Sequence, residues 1–167
     1  FMNAGAYDGE IKTVVESVTA VSLEGGIIRY GRDELEFGYR HSVFQANNQA
    51  ICEVELALSF GELAVIEDRM ESLTERRESR QPLEMPSAGS TFKRPEGYFA
   101  GTLIEQTGLK GFKVSGAQIS LKHAGFVVNS GEATAQDVLD LIKEVQDRVY
   151  QAHGVKLFPE VRMLGEQ

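Results

Sequence analysis

The 167-residue sequence predicts an α+β fold, and three stretches carry that prediction. Residues 51–60, "ICEVELALSF", alternate with a period of two: Cys52, Val54, Leu56, Leu58 and Phe60 share one face, Ile51, Glu53 and Glu55 the other. Successive side chains of a strand point to opposite sides, so this is the pattern of a half-buried strand. Over 63–79 the period lengthens. Leu63, Val65, Ile66, Met70 and Leu73 gather near one helical face, opposite Glu62, Glu67, Asp68, Glu71, Glu75, Arg76 and Arg77. Near the end of the chain Val138, Leu141, Ile142, Val145 and Val149 form a stripe at helical spacing. Strands dominate the first half and a mixed arrangement the second.

The remaining elements follow in order. Val14, Val18, Ala20, Val21 and Leu23 predict a first strand, "EGG" (24–26) a turn, and "IIRY" (27–30) its return. The helix over 63–79 is stopped by Pro82, which forces the residue before it towards extended geometry. A domain boundary is therefore placed at 81–84. The loop "PSAGSTFKRP" (86–95) comes next and is read as exposed. A short helix over 100–107 follows, with Gly108 at its C′ position and Leu109 closing it by an apolar contact. Short strands are expected around Gly111, Gly116 and Gly125. The last helix opens with Thr134 and Asp137 at capping-box spacing and ends at Gly154, and "LFPEVRML" is read as a final strand.

Composition bounds the function. The net charge is −8, which disfavours a general attraction to nucleic acid or to an anionic membrane, since both need a basic surface. No apolar run approaches the roughly 20 residues that span a bilayer. The single cysteine, Cys52, rules out an intrachain disulfide, fits a reducing compartment, and is read as buried filler within its strand. The opening, "FMNAGAYDGE", is turn-rich and lacks an initiating methionine, as if taken from the middle of a longer protein.

Several side chains carry candidate chemistry. "NAGAY" (3–7) places small residues where backbone N–H groups can approach a ligand such as phosphate. "FGYRHSVF" (37–44) sets Arg40 among aromatics, where its guanidinium either grips a carboxylate or simply stacks on a tyrosine. Ser90 is a weak acid and yields its proton only to a strongly basic centre such as a carbanion. It matches no hydrolase elbow, and a serine satisfying its own turn is the plain alternative. Lys93 and Arg94 suit an anion or are solvated. Glu160, after a proline in an apolar stretch, is either edge-exposed or working in a pocket, and Lys122 and His123 pose the same choice. The glutamates and histidines lack metal-ligand spacing.

Together "FMNAGAYDGE", "FGYRHSVF", "RQPLEMPSAGSTFKRPEGYFAGTLIEQTGLKG", "SLKHAGFVVN", "ATAQDV" and "LFPEVRMLG" resemble the UDP-N-acetylenolpyruvoylglucosamine reductase (MurB) family over essentially the whole chain, in order. The short link from Phe44 to Ile51 is similar to the form of the family without an extra substrate-covering segment. The resemblance implies a cytoplasmic, monomeric flavoenzyme of peptidoglycan synthesis. In that family NADPH reduces FAD, and the flavin reduces UDP-N-acetylglucosamine enolpyruvate to UDP-N-acetylmuramate. It implies Ser90 as proton donor, Arg40 as the group that stabilises the substrate carboxylate, and Glu160 as the residue completing the site. Tyr39, Gly89, Lys93, Arg94, Lys122 and His123 would meet substrate. Asn3, Ala4, Gly5, Ala6, Tyr7, Arg77 and Gln81 would meet FAD. Residues 1–81 would then be the latter part of a FAD-binding lobe whose N-terminal portion lies outside this sequence. Residues 82–167 would be a substrate-binding domain whose last strand returns towards the active site. No metal, nucleic acid or membrane partner is implied. Asp8 stands where the family more often has glycine. A nucleotide-sugar-binding module without catalysis, or another flavin oxidoreductase of the same fold, remains as an alternative reading.

Overall fold

The computed structural model describes residues 1–165 and is α+β. Backbone proximity divides the chain into two compact units, Phe1–Leu73 and Thr74–Gln167, a division that falls inside the first helix rather than at 81–84.

The first unit opens with a hairpin, β1 (Gly5–Ala6) and β2 (Gly9–Glu10). Its two turn residues, Tyr7 and Asp8, have φ of 50° and 66°, as the favoured two-residue hairpin turn requires. This accounts for Asp8: the position is left-handed, glycine takes it at no cost, and aspartate is among the residues that tolerate it. Next comes an antiparallel sheet of β3 (Val15–Val21), β4 (Ile27–Gly31) and β5 (Ala50–Leu56), in the order β4-β3-β5. Central β3 supplies Val15, Val18 and Ala20 to a small core. Leu35 and Phe44, from 3-10 turns Arg32–Leu35 and Val43–Gln45, close it. On the strands' polar side Ser17 Oγ donates to Glu55 Oε2 at 2.9 Å, and Arg29 pairs with the same carboxylate.

The alternation over 51–60 overstates both the strand and its burial. β5 stops at Leu56, Leu58 and Phe60 lie beyond it, and Val54 and Leu56 remain 45% and 44% exposed. Cys52 is exposed as well, so it is not core filler. Among the described residues β5 is an edge strand, with two register irregularities against β3. Alternation tells which way a side chain points, not whether another layer covers it. Helix α1 (Leu63–Arg80) makes the same point: it forms where the period predicts it and ends before Pro82, yet none of its residues is buried.

The second unit holds β6 (Ser87–Ser90), α2 (Ala100–Gln106), β7 (Lys113–Val114), β8 (Ala117–Ile119), β9 (Phe126–Asn129) and α3 (Ala135–His153). Its antiparallel sheet has the order β6-β9-β8-β7. Leu103 and Ile104 of α2, Ala117 and Ile119 of β8, Val127 of β9, and Leu141, Ile142, Val145 and Val149 of α3 make one core with Leu109 and Leu157. Each large aliphatic side chain buried there contributes about 1.5–3 kcal/mol, so this packing, not the exposed Lys143–Asp147 and Arg148–Glu144 pairs, holds α3 in place.

Helix ends follow the sequence closely. Thr134 Oγ1 accepts from the Asp137 N–H at 3.1 Å, and the Asp137 carboxylate accepts from the Thr134 N–H at 2.8 Å, a reciprocal capping box. Gly154 ends α3 at φ 70°. At the end of α2, Gly108 donates to the Glu105 carbonyl at 2.9 Å and Leu109 to the Ile104 carbonyl at 3.2 Å, the paired bonds of a Schellman motif, with Leu109 buried.

Two loop expectations change. Part of "PSAGSTFKRP" is strand β6, because β9 is there to pair with it. "LFPEVRML" is not a strand. It makes one bridge, Phe92 to Pro159, flanked by Lys93 N–H to the Phe158 carbonyl and Glu160 N–H to the Thr91 carbonyl, both 2.8 Å. Pro159 has no N–H with which to continue a ladder. Among the described residues no helix is long and apolar enough to cross a membrane.

Gly116 is required for space. A Cβ there would stand 2.0 Å from the Gly131 carbonyl oxygen and 2.5 Å from the Ala133 nitrogen, both backbone atoms. Gly116→Ala is expected to destabilise the second unit by about 3 kcal/mol, seen as a lowered urea midpoint with an unchanged slope.

Candidate active site

In the first unit the predicted residues are brought together by a side chain that the sequence did not mark as structural. Asn3 is 2% exposed, at φ 48°. Its Nδ2 donates to Glu10 Oε2 at 2.9 Å and to the Gly38 carbonyl at 3.0 Å, and its Oδ1 accepts from the Lys12 N–H at 3.1 Å. One amide thus joins the 3–7 stretch to the 37–44 stretch. There Gly38 and His41 exchange backbone hydrogen bonds of 3.1 and 3.2 Å, leaving Tyr39 and Arg40 at the tip of a tight turn. Arg40 is left-handed, at φ 53°, and Gln45 Nε2 donates to its carbonyl at 2.7 Å.

The Arg40 guanidinium lies 5.4 Å from the Tyr39 ring centroid, and its Nη1 is 3.9 Å from where a Cβ on Gly5 would sit. Stacking on tyrosine and proximity to "NAGAY" therefore hold together. Ala4 and Ala6 are exposed, and Gly5 and Tyr7 are partly covered. Beneath them the Glu10 carboxyl is held below its usual range, chiefly by the hydrogen bond from Lys12, then by that from Asn3, with Arg40 adding attraction. The result is a small-residue hairpin beside a fixed cation, suited to an anionic group.

In the second unit the decisive feature is a bulge. Ser87 is opposite Val128 and Ser90 is opposite Phe126, so β6 spends one more residue than β9 between these pairs. Gly89 takes up the extra residue at φ 83° with open space around it, so its requirement is conformational rather than steric. Ser90 is exposed while Phe126 opposite it is buried. Immediately after, Thr91 is 2% exposed, and its carbonyl accepts the Glu160 N–H. Ser90 and Glu160 are thereby placed one residue apart across a bridge, although they lie far apart in sequence.

Around this bridge Lys93 is bonded through its N–H to the last segment, and Arg94 stacks on Phe99 with its guanidinium carbon 4.0 Å from the ring centroid. Lys122 Nζ lies 3.5 Å from Glu84. His123 packs edge-on against Phe126, centroids 5.0 Å apart, and its Nδ1 accepts from the Gly125 N–H at 3.0 Å. Arg77 and Gln81 lie at the end of α1, joined by Gln81 N–H to the Arg77 carbonyl at 2.8 Å. Among the described residues no group of three or more His, Cys, Asp or Glu could hold a metal. An open hollow lined by Lys12, Thr13, Arg32, Asp33, Glu36 and Phe37 includes none of the predicted site residues.

Residues 81–164, the whole span of this serine bulge and the closing segment, match the family model of the UDP-N-acetylenolpyruvoylglucosamine reductase C-terminal domain. The chain belongs to that reductase family. Curated relatives with the reductase name include one from Clostridium perfringens, 53% identical over 99% of this chain and 54% of its own length, and one from Limosilactobacillus fermentum, 50% identical over 100% and 56%. The crystal structure of the MurB reductase from Thermus caldophilus superposes with a TM-score of 0.80 at 37% identity, covering 93% of this chain and 56% of that one. The chain spans about half the length of these reductases.

Two outcomes follow from this geometry. Asn3→Asp replaces a donating amide with a second carboxylate facing Glu10. It is expected to cost the first unit about 2 kcal/mol or more, read by chemical denaturation, while Asn3→Ala leaves the same backbone groups unpaired. His123 is held below its ordinary pKa of 6.5, first by burial and then by the Lys110 ammonium. The unfolded chain therefore binds more protons below pH 6.5, and the stability this group contributes is present above that value and lost as pH falls through it. Urea midpoints compared at about pH 8 and about pH 5.5 should fall less in His123→Gln than in the parent.

Proposed function

We propose that this chain is the substrate-binding part, with a portion of the flavin-binding lobe, of an NADPH-dependent flavoenzyme. Its reaction is the reduction of UDP-N-acetylglucosamine enolpyruvate to UDP-N-acetylmuramate in the cytoplasm. The observation that carries the reading is Ser90, exposed immediately after the Gly89 bulge and joined through the next residue to Glu160, in a chain of this family. The 3–7 hairpin fits a flavin dinucleotide in its chemistry. Exposed small residues and a left-handed turn leave backbone N–H groups open to its pyrophosphate. Asn3, Ala4, Gly5, Ala6 and Tyr7 would hold FAD, with Arg77 of α1 and Gln81 just after it, and that group, once reduced by NADPH, would supply a hydride to the substrate's double bond.

The chain's own residues supply the rest. Adding hydride to the terminal carbon leaves the electron pair on the carbon that bears the carboxylate. That centre is basic enough to take the proton of the Ser90 hydroxyl, completing a two-electron reduction of C=C to CH–CH. Arg40 binds the carboxylate as negative charge spreads onto it, and its tight turn fixes it before reaction. Glu160 orients Ser90 or the substrate. Tyr39, Gly89, Lys93, Arg94, Lys122 and His123 meet the nucleotide sugar, whose diphosphate suits the cations among them. The protein acts as a monomer.

Ser90→Ala tests the proton transfer in the complete polypeptide that carries this chain. Flavin reduction by NADPH should stay within about twofold of the parent. Reoxidation by the enolpyruvyl substrate should slow by about 10²–10⁴-fold, followed by stopped-flow flavin absorbance. Near-normal reoxidation would remove Ser90 from the mechanism.

A further inference from the structure

We propose that Thr91 is a positioning residue for this reaction, holding the Ser90 hydroxyl and Glu160 in one fixed relation. The proposal rests on the functional reading above. Ser90 ends a bulged strand and Glu160 lies on a segment with no strand of its own, so neither is fixed by a regular ladder. Thr91 meets both elements. Its N–H donates to the Gly125 carbonyl at 2.8 Å, its carbonyl accepts from the Glu160 N–H at 2.8 Å, and its Oγ1 accepts from the Val127 N–H at 3.0 Å.

The side-chain bond is the unusual one. Val127 belongs to β9, and its amide donates to the Thr91 hydroxyl oxygen, a side-chain bond added where the bulged strand meets β9. One residue before the bonded hydroxyl, Ser90 is opposite Phe126. The hydroxyl therefore pins β6 to β9 immediately beyond the bulge, at the point where Ser90 leaves the sheet. The same residue's carbonyl carries Glu160. Thr91 is 2% exposed and touches neither solvent nor, on this reading, substrate, so it acts through its neighbours. Removing the hydroxyl takes away this bond between Thr91 and β9 and lets the bulge, Ser90 and the Glu160 bridge shift together. A misplacement of about 1 Å at a reacting group costs on the order of 100-fold in rate.

The test uses the complete polypeptide, loaded with flavin, in two half-reactions: reduction by NADPH, then reoxidation by UDP-N-acetylglucosamine enolpyruvate. Thr91→Val keeps the shape and removes the acceptor, while Thr91→Ser keeps the oxygen. Thr91→Val should reduce within about twofold of the parent but reoxidise about 10–100-fold more slowly, and Thr91→Ser should reoxidise within about threefold of the parent. Reoxidation at the parental rate in Thr91→Val, equal slowing of both half-reactions, or failure of Thr91→Ser to restore the rate would overturn the proposal. If Thr91→Val does not fold, Thr91→Ala takes its place under the same criteria, and failure of both to fold assigns Thr91 a purely structural role and overturns it too. A parent that takes up flavin and turns over while the variants behave like it sinks the proposal alone. A parent that takes up no flavin, or does not reduce the enolpyruvyl compound, sinks the functional reading and the proposal with it.

Discussion

A single extra residue in β6 governs the second unit's candidate site. Without it, strand pairing would continue in step with β9, and Gly89 rather than Ser90 would stand opposite Phe126. Gly89 absorbs the extra residue in a left-handed conformation, which only glycine adopts without steric cost. The serine is then exposed at the end of a strand, a rigid position, rather than within a free loop. What the bulge loosens must be tied down elsewhere, and Thr91 and its partners on β9 and at Glu160 do this. The α3 core beneath makes the sheet stiff enough for a local kink to have a definite direction.

The first unit solves a similar problem with a side chain instead of a strand. Its hairpin and its Arg40 turn are both short and left-handed, and neither could hold its shape alone in water. Asn3 joins them with three hydrogen bonds from a nearly solvent-free amide. A buried amide with its hydrogen bonds made is stabilising, and the same amide left unpaired costs about 1–3 kcal/mol, so losing Asn3 weakens both turns. Its partner Glu10 has its carboxyl held below the usual range, chiefly by the bond from Lys12 and then by that from Asn3. Asn3, taken from the sequence as a ligand contact, is in the structure first a cross-link.

Legibility in the sequence followed range. The caps of α3 and the close of α2 were readable because each depends on residues within one turn: Thr134 with Asp137, Gly108 with Leu109, Gly154. The family itself was readable too, through its motifs. What was not readable depends on partners distant in the chain. β6 looked like loop because nothing near it announces β9, and the bulge exists only as a relation between the two. The closing segment looked like a strand because its apolar pattern is strand-like, while Pro159 allows it one bridge. Cys52 and the apolar residues after it alternate as a buried face would, yet lie exposed, since periodicity carries no record of what covers a surface. The positive φ of Arg40, a residue type seldom found there, left no local trace either.

These observations divide labour between residue identity and backbone. Serine, arginine and glutamate are ordinary surface residues, and their presence in a sequence means little by composition alone. A serine becomes a useful acid only if its hydroxyl meets a basic centre while its backbone does not yield. Ser90 is exposed just after the Gly89 bulge, and Thr91 beside it is bonded to β9 and to Glu160. An arginine becomes a useful carboxylate clamp only if its guanidinium is placed before substrate arrives. The Gly38–His41 turn and the Gln45 bond to its carbonyl fix the backbone of Arg40. In each case a neighbouring residue shapes the backbone around the candidate side chain: glycine by conformation, threonine by hydrogen bonding, asparagine by cross-linking. Such neighbours carry no chemistry of their own, which is why a search for acids, bases and cations passes over them.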